Sequence, residues 1–294
     1  MLTSTIARAT PRLLLHAPAL PAQHRYRGVA DPRSTARGLC SPAGLHRRPW
    51  LARLRRALAA QEFVLHYQPI VSLQDGSVSH YEALVRLADE PNGRLVAPAR
   101  FLPAAERYGL IRDIDRMVLE KVATLLGGQR GERCASVAVN LSAVSVTDGG
   151  MLAYIARQLA LRGVEPSRLV IEVTETASIS DMERAKAFCA GVQALGCAVA
   201  LDDFGAGFGS FHYLKNLPFR YLKIDGDFIR GLPNSPNDQL VVKALVGVVR
   251  GMDRRTIAEF VGDRPTLRLL RDFGVDYAQG FQVGRPLPVV PLAV

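Results

Sequence analysis

The chain has 294 residues, 48% hydrophobic, 22% charged and 7% aromatic, with a net charge of +10. Nearly half apolar, it can bury a large core and is not disordered throughout. Its four cysteines (Cys40, Cys134, Cys189, Cys197) form no Cys-x-x-Cys pair, which argues against a disulfide scaffold or a zinc knuckle and suits a reducing compartment, so the expected location is the cytoplasm. The basic excess lies in residues 1–60, where eleven arginines face one acid, Asp31, while the remainder is charge-balanced and has no bulk field for DNA. No apolar run approaches the roughly 18 to 20 residues of a membrane span.

Residues 1–49 mix Arg, Pro, Ala, Gly and Ser without a lasting period and read as a basic irregular or disordered segment. The composition resembles a transit peptide, and reads equally as a linker from an upstream module or as translation begun upstream of the true start. From Trp50 the apolar residues take helical spacing through Leu58, so the folded domain is expected to occupy residues 50–294 and to open on an amphipathic helix. Short apolar, β-branched runs follow: 63–71, 78–85, 136–141, 169–173, 198–201, 221–224, 256–258 and 275–278. Segments of helical period separate most of them, at 113–126, 151–161, 182–195, 240–250 and 265–273, and Gly163, Gly196, Gly251 and Gly274 fit helix C-caps. Eight strands alternating with helices predict an α/β fold, a modified (β/α)8 TIM-type barrel. The first two runs are joined by Gln74-Asp75-Gly76, a hairpin-type turn, so one early strand is expected to run antiparallel. A doubly wound open sheet is the rival, and it would place a site at one crevice.

Polar residues stand at or just past the end of each run. They are Gln68; Glu82 and Arg86; Asn140; Glu172 and Glu175; Asp202 and Asp203; Lys223 and Asp225; Glu259; and Gln279. A single acid after a strand is usually a helix cap or a surface group. Six strand ends in succession bearing oxygen ligands or Lys are hard to explain by capping, and in a (β/α)8 barrel these ends meet on one face. Carboxylates crowded into one pocket repel unless some are protonated or a cation neutralises them. The set Glu82, Asn140, Glu172, Asp202 and Asp203 is all hard oxygen, which selects Mg²⁺ or Mn²⁺ over zinc, and this many acids suits two ions, an arrangement used in phosphoester hydrolysis. None of the six histidines has a partner at metal-ligand spacing. The loop from Phe204 to Ser210 lacks the full pattern of a nucleotide loop and reads as a mobile glycine loop beside the two aspartates.

With Glu82-Ala83-Leu84 followed by Val85-Arg86, the chain resembles the EAL domains, bacterial cyclic-di-GMP phosphodiesterases, over about residues 61–288. Ordered motifs carry the resemblance: Tyr67-Gln68-Pro69-Ile70-Val71, Val139-Asn140-Leu141-Ser142, Ile171-Glu172-Val173-Thr174-Glu175, Asp202 through Phe208, Lys223-Ile224-Asp225, Ala258-Glu259-Phe260-Val261 and Gln279-Gly280-Phe281. It implies hydrolysis of cyclic di-GMP to linear pGpG, with Glu82, Asn140, Glu172, Asp202 and Asp203 as metal ligands for Mg²⁺ or Mn²⁺. Lys223 is then the residue that orients the attacking water, with Asp225 positioning nearby groups. Glu259 is a general base or a metal-binding group, and Glu175 the glutamate that holds the glycine loop. Gln68, Arg86 and Gln279 are substrate contacts or lie near the metal centre. A homodimer is implied as well, by the resemblance alone.

Two positions depart from the family pattern: Gly262 stands where a second glutamate is usual, with Asp263 next to it, and Gly209 replaces the first of two serines. They leave a second reading open, a catalytically weak or inactive domain that serves as a cyclic-di-GMP receptor. A third, an unrelated barrel enzyme with Lys223 as base, explains the strand-end residues but not the ordered motifs.

Overall fold

A computed structural model of the chain describes residues 48–89, 94–129, 135–174, 181–205 and 210–290. Residues 1–47 of the basic N-terminal segment, Cys134, Glu175 and Gly209 lie outside the described residues, whereas Arg48 and Pro49, expected to be irregular, are helical. The folded part opens on α1 (Arg48–Ala59), whose Leu54 and Ala57 are fully buried, as the spacing from Trp50 predicts. The strands are β1 (Phe63–Ser72), β2 (Val78–Asp89), β3 (Arg94–Val96), β4 (Val137–Leu141), β5 (Leu169–Thr174), β6 (Ala198–Phe204), β7 (Tyr221–Ile224), β8 (Arg255–Ala258) and β9 (Tyr277–Ala278).

Eight strands close in the order β1-β9-β8-β7-β6-β5-β4-β2, with a β1–β2 pairing completing the ring and β3 pairing with the last residues of β2, Leu87 to Asp89. The rival open sheet is thereby excluded. β1 runs antiparallel to both its neighbours, and the other ring strands are parallel. The chemistry of the first turn dictates this reversal. Gly76, at φ +77°, donates its N–H to the Ser72 carbonyl at 3.0 Å, and Asp75 Oδ1 accepts from Ser77 N at 3.0 Å. Residues 73–77 are too few for the crossover of a dozen or more residues that a parallel pair needs.

The helices around the barrel are α2 (Pro98–Arg107), α3 (Ile111–Gly128), α4 (Ala143–Val146), α5 (Met151–Arg162), α6 (Met182–Ala194), α7 (Ser210–Asn216), α8 (Gly226–Ile229), α9 (Pro236–Gly251) and α10 (Arg264–Phe273). Gly163 and Gly274 are left-handed C-caps, at φ +61° and +77°, and Gly196, at φ +93°, follows Leu195 at the end of α6. Gly251 departs from the expected role. It is the last helical residue of α9, and the left-handed turn falls instead on Asp253 at φ 56°. A short polar side chain tolerates that conformation through local hydrogen bonds.

The main core lies between the barrel and its helices. A second, smaller cluster fills the barrel itself: Ile70, Ala138, Val170, Ala198, Ala200, Tyr221 and Ile257. Side chains alternate faces along a strand, so residues two further along point into the same barrel interior. Those residues are Asn140, Glu172, Asp202, Lys223 and Glu259 on the parallel strands. On antiparallel β1 the inward residue at that level is Gln68, two before Ile70, paired in register with Glu82. The period-two pattern therefore stacks a polar layer directly on an apolar plug.

Candidate active site

Lys223 occupies the centre of the polar layer. It is 1% exposed, and its Nζ lies 2.8 Å from Glu259 Oε1, 2.9 Å from Asp202 Oδ1, 3.0 Å from Glu172 Oε2 and 3.5 Å from Glu82 Oε2. Asn140 Nδ2 donates to Glu82 Oε1 at 2.6 Å. Gln279 Nε2 donates to the other oxygen of Glu82 and lies 3.3 Å from Gln68 Oε1, while Gln68 Nε2 donates to the Gly284 carbonyl at 3.0 Å. Eight of the residues singled out in the sequence (Gln68, Glu82, Asn140, Glu172, Asp202, Lys223, Glu259 and Gln279) are thus brought into one network. Asp203 joins them at the edge: its carboxylate, that of Asp202 and that of Glu259 offer oxygens within 4.8 Å of one another.

Other positions fall elsewhere. Arg86 lies four residues beyond Glu82 on β2, half-buried, with Nη1 donating to the Val85 carbonyl at 2.9 Å. Asp225 caps α8, its Oδ1 accepting from Asp227 N at 2.7 Å, and its charge acts on the neighbouring Asp203. Asp263 likewise caps α10 by accepting from Thr266 N at 2.8 Å, and does not substitute for the glutamate that Gly262 replaces. His80 packs against the rings of Tyr221 and Tyr277 in the barrel interior, with centroids 5.2 and 6.5 Å away, and burial pushes it down to about 4. It reads as a neutral packing group.

Electrostatics follow from many carboxylates sharing one ammonium. Burial alone would lower the Lys223 pKa, but Asp202, Glu172, Glu259 and Glu82 outweigh it and hold the ammonium well above its usual range. Burial pushes Glu259 up to about 8, with Lys223 opposing and the charges of Asp202 and Glu82 adding. Burial raises Glu172 as well, against the pull of Lys223. Glu82 goes the other way: burial opposes, yet Lys223 and the amides of Gln279 and Asn140 carry it below the carboxylate norm. Asp203 is exposed as a residue, but partial desolvation of its carboxyl, then the charge of Asp202, push it up to about 6.

The donors fit a metal ion. Glu172 Oε1 and Gln279 Oε1 are buried oxygens that accept no hydrogen bond among the described residues, and the converging side chains around them are hard oxygen donors. A cavity of about 480 Å³ lined by Ser72, Arg220, Arg255, Arg271 and Tyr277 opens at the opposite end of the barrel; none of these carboxylates lines it. The carboxylates, not that cavity, mark the site.

Residues 51–286 match the EAL domain as a family. The chain belongs to the EAL domain family. It is 38% identical over 244 residues to the cyclic di-GMP phosphodiesterase PdeB of Shewanella oneidensis, covering 82% of this chain and 28% of that protein. To MucR of Pseudomonas aeruginosa, named a bifunctional diguanylate cyclase/cyclic di-GMP phosphodiesterase, it is 36% identical, covering 81% of this chain and 35% of that protein. The chain thus spans about a third of the length of these relatives. Among solved structures, the PaMucR phosphodiesterase in complex with c-di-GMP superposes with a TM-score of 0.76 at 36% identity, covering 82% of this chain and 98% of that one. The FimX EAL domain from Pseudomonas aeruginosa bound to c-di-GMP gives 0.77 at 32% identity, with 83% and 99% covered. These EAL structures share the barrel. Among the described residues, no helix is long and apolar enough to cross a membrane.

Proposed function

We propose that residues 50–294 form a metal-dependent phosphodiesterase domain that hydrolyses cyclic di-GMP to linear pGpG. The observation that carries this reading is the ring of buried carboxylates around Lys223, on a fold shared with solved c-di-GMP complexes. Glu82, Asn140, Glu172, Asp202 and Asp203 would hold the metal. With Glu259, the five carboxylates face one ammonium and leave a formal charge of −4, which two divalent ions offset. Oxygen-only donors favour Mg²⁺ or Mn²⁺. When bound, such ions supply Lewis-acid polarisation of a phosphoryl oxygen and activation of water.

The chain's own residues supply the rest. Lys223, fixed by its carboxylate neighbours, orients the attacking water and offsets charge that develops on the phosphoryl oxygens. Glu259, whose Oε1 lies 2.8 Å from Lys223 Nζ, would accept or steer the proton of the attacking water once bound cations hold it ionised. Gln68 and Gln279 line the wall beside Glu82, and the Arg86 guanidinium fork, four residues along β2, suits a phosphate. The role of Glu175, holding the glycine loop, rests on the resemblance alone.

Purified full chain with Mg²⁺ or Mn²⁺ should convert cyclic di-GMP to pGpG, followed by chromatography. Glu82→Ala should lower turnover by about 1,000-fold or more, because it removes a ligand and unpairs Asn140 and Gln279. Full activity in excess EDTA would overturn the metal assignment. Gly262, with Asp263 committed to a helix cap, favours the receptor as the second reading. Tight binding of cyclic di-GMP beside undetectable turnover in Mn²⁺ would establish it instead.

A further inference from the structure

Asp115 lies on α3, outside the barrel, and is 6% exposed. Its Oδ2 gathers three donors: Ser142 N at 3.1 Å, Ser142 Oγ at 2.6 Å and Ser145 Oγ at 2.6 Å. Ser145 is fully buried, and Ser142 also caps α4 by accepting from Ser145 N at 3.3 Å. One carboxylate oxygen therefore fixes both the peptide that leaves β4 and the first turn of the helix that follows. Two residues earlier on the same strand stands Asn140, paired in register with Glu172 and bonded to Glu82.

The arrangement is expensive for a purely structural link. No arginine or lysine among the described residues pairs with Asp115, and burial pushes its carboxyl up despite the serine donors. A buried carboxylate answered only by hydroxyl and amide donors gives up more hydration than a neutral group would. Its return is geometric. Charge-assisted bonds are shorter and about twice as strong as neutral ones, and these converge where the strand hands over to the loop at the barrel mouth. A shift of the Ser142 peptide would turn the end of β4 and carry the Asn140 amide out of line with Glu82 and Glu172.

We propose that Asp115 is a positioning residue: through Ser142 and Ser145 it sets the end of β4 so that Asn140 faces the cation held by the carboxylate ring. The inference rests on the proposed reading of Asn140 as a metal ligand. Outer-shell partners of this kind are worth about 10- to 100-fold in metal affinity when removed.

The test uses the full chain and its Asp115→Asn variant, which keeps shape and removes charge, with Ser145→Ala as a second variant that removes one of the three bonds. Each is titrated with Mn²⁺ by calorimetry, melted, and assayed with cyclic di-GMP. Asp115→Asn should weaken Mn²⁺ binding about tenfold and lower kcat at sub-saturating metal, while KM for the dinucleotide stays within about twofold and the melting temperature holds or rises. If Asp115→Asn does not fold, Ser145→Ala reads the same quantity, and a several-fold loss of Mn²⁺ affinity supports the assignment. Unchanged Mn²⁺ affinity in a folded variant, or a lowered melting temperature as the sole effect, overturns it. A wild-type chain that binds Mn²⁺ but leaves cyclic di-GMP intact would instead sink the hydrolase reading, and the Mn²⁺ comparison would still decide the role of Asp115.

Discussion

Glu259 shares one ammonium with three other barrel-wall carboxylates, and burial lifts it to about 8 from an ordinary 4.5. A carboxyl whose folded pKa exceeds its unfolded value binds its proton more tightly in the folded chain. Its stabilising contribution is present below about 4.5 and is lost as pH rises through about 8. In EDTA, the melting temperature should therefore fall between about pH 5 and about pH 8.5, and Glu259→Gln should flatten that slope. Equal slopes would contradict the assigned pKa. Elsewhere in the core, burial pushes Cys189 up to about 12 and Cys197 up to about 11, from 9.0. Their thiolate populations at pH 8 drop by roughly 1,000-fold and 100-fold. With Cys40 and Cys134 changed to serine, mass spectrometry should find no iodoacetamide adduct at pH 8 until denaturant is added. Rapid native labelling would show that these thiols are not buried.

At the scale of elements, the strands carrying the site were legible because their inward positions alternate apolar and polar with period two. Ala198, Ala200 and Asp202 on β6, or Tyr221 and Lys223 on β7, display the pattern within a few residues. What local sequence does not carry is the destination of a side chain after its strand ends. Asp225 and Asp263 stand beside site residues, as Asp203 does, yet both turn back to cap helices. Gly251 matched a C-cap pattern that the chain satisfies two residues later, at Asp253. α2, with Pro103 inside it, was passed over although Phe101 and Ala105 bury at helical spacing, and the start of α9 was set by Pro236 and the Ser235 cap rather than by apolar spacing. Asp115 was missed because its partners lie 27 and 30 residues away on another element. Gly280 shows how tightly one element end is built. At φ +152°, a Cβ there would lie 2.3 Å from both the N and the O of Val261. Gly280→Ala should cost about 3 kcal/mol and displace Gln279 from Glu82. In a domain of this size that lowers the melting temperature by about 6–12 °C; a loss below about 2 °C would show that the turn relaxes freely.

For the whole molecule, closure of the ring turns separate strand ends into a site. Residues from Gln68 to Gln279 meet because β1 reverses and pairs with both β2 and β9, which lets the first and last parts of the chain complete one wall. The basic excess is confined to the first 60 residues, while four of the 26 acids that follow are gathered around Lys223 at the mouth. A crystal of the full chain soaked with Mn²⁺ and cyclic di-GMP, read by anomalous scattering, addresses that cluster directly. Peaks are expected about 2.1–2.3 Å from oxygens of Glu82, Asn140, Glu172 and Asp202, beside a phosphate of the ligand. Saturating Mn²⁺ that leaves these four side chains without an ion would contradict the metal centre on which the proposed hydrolysis depends.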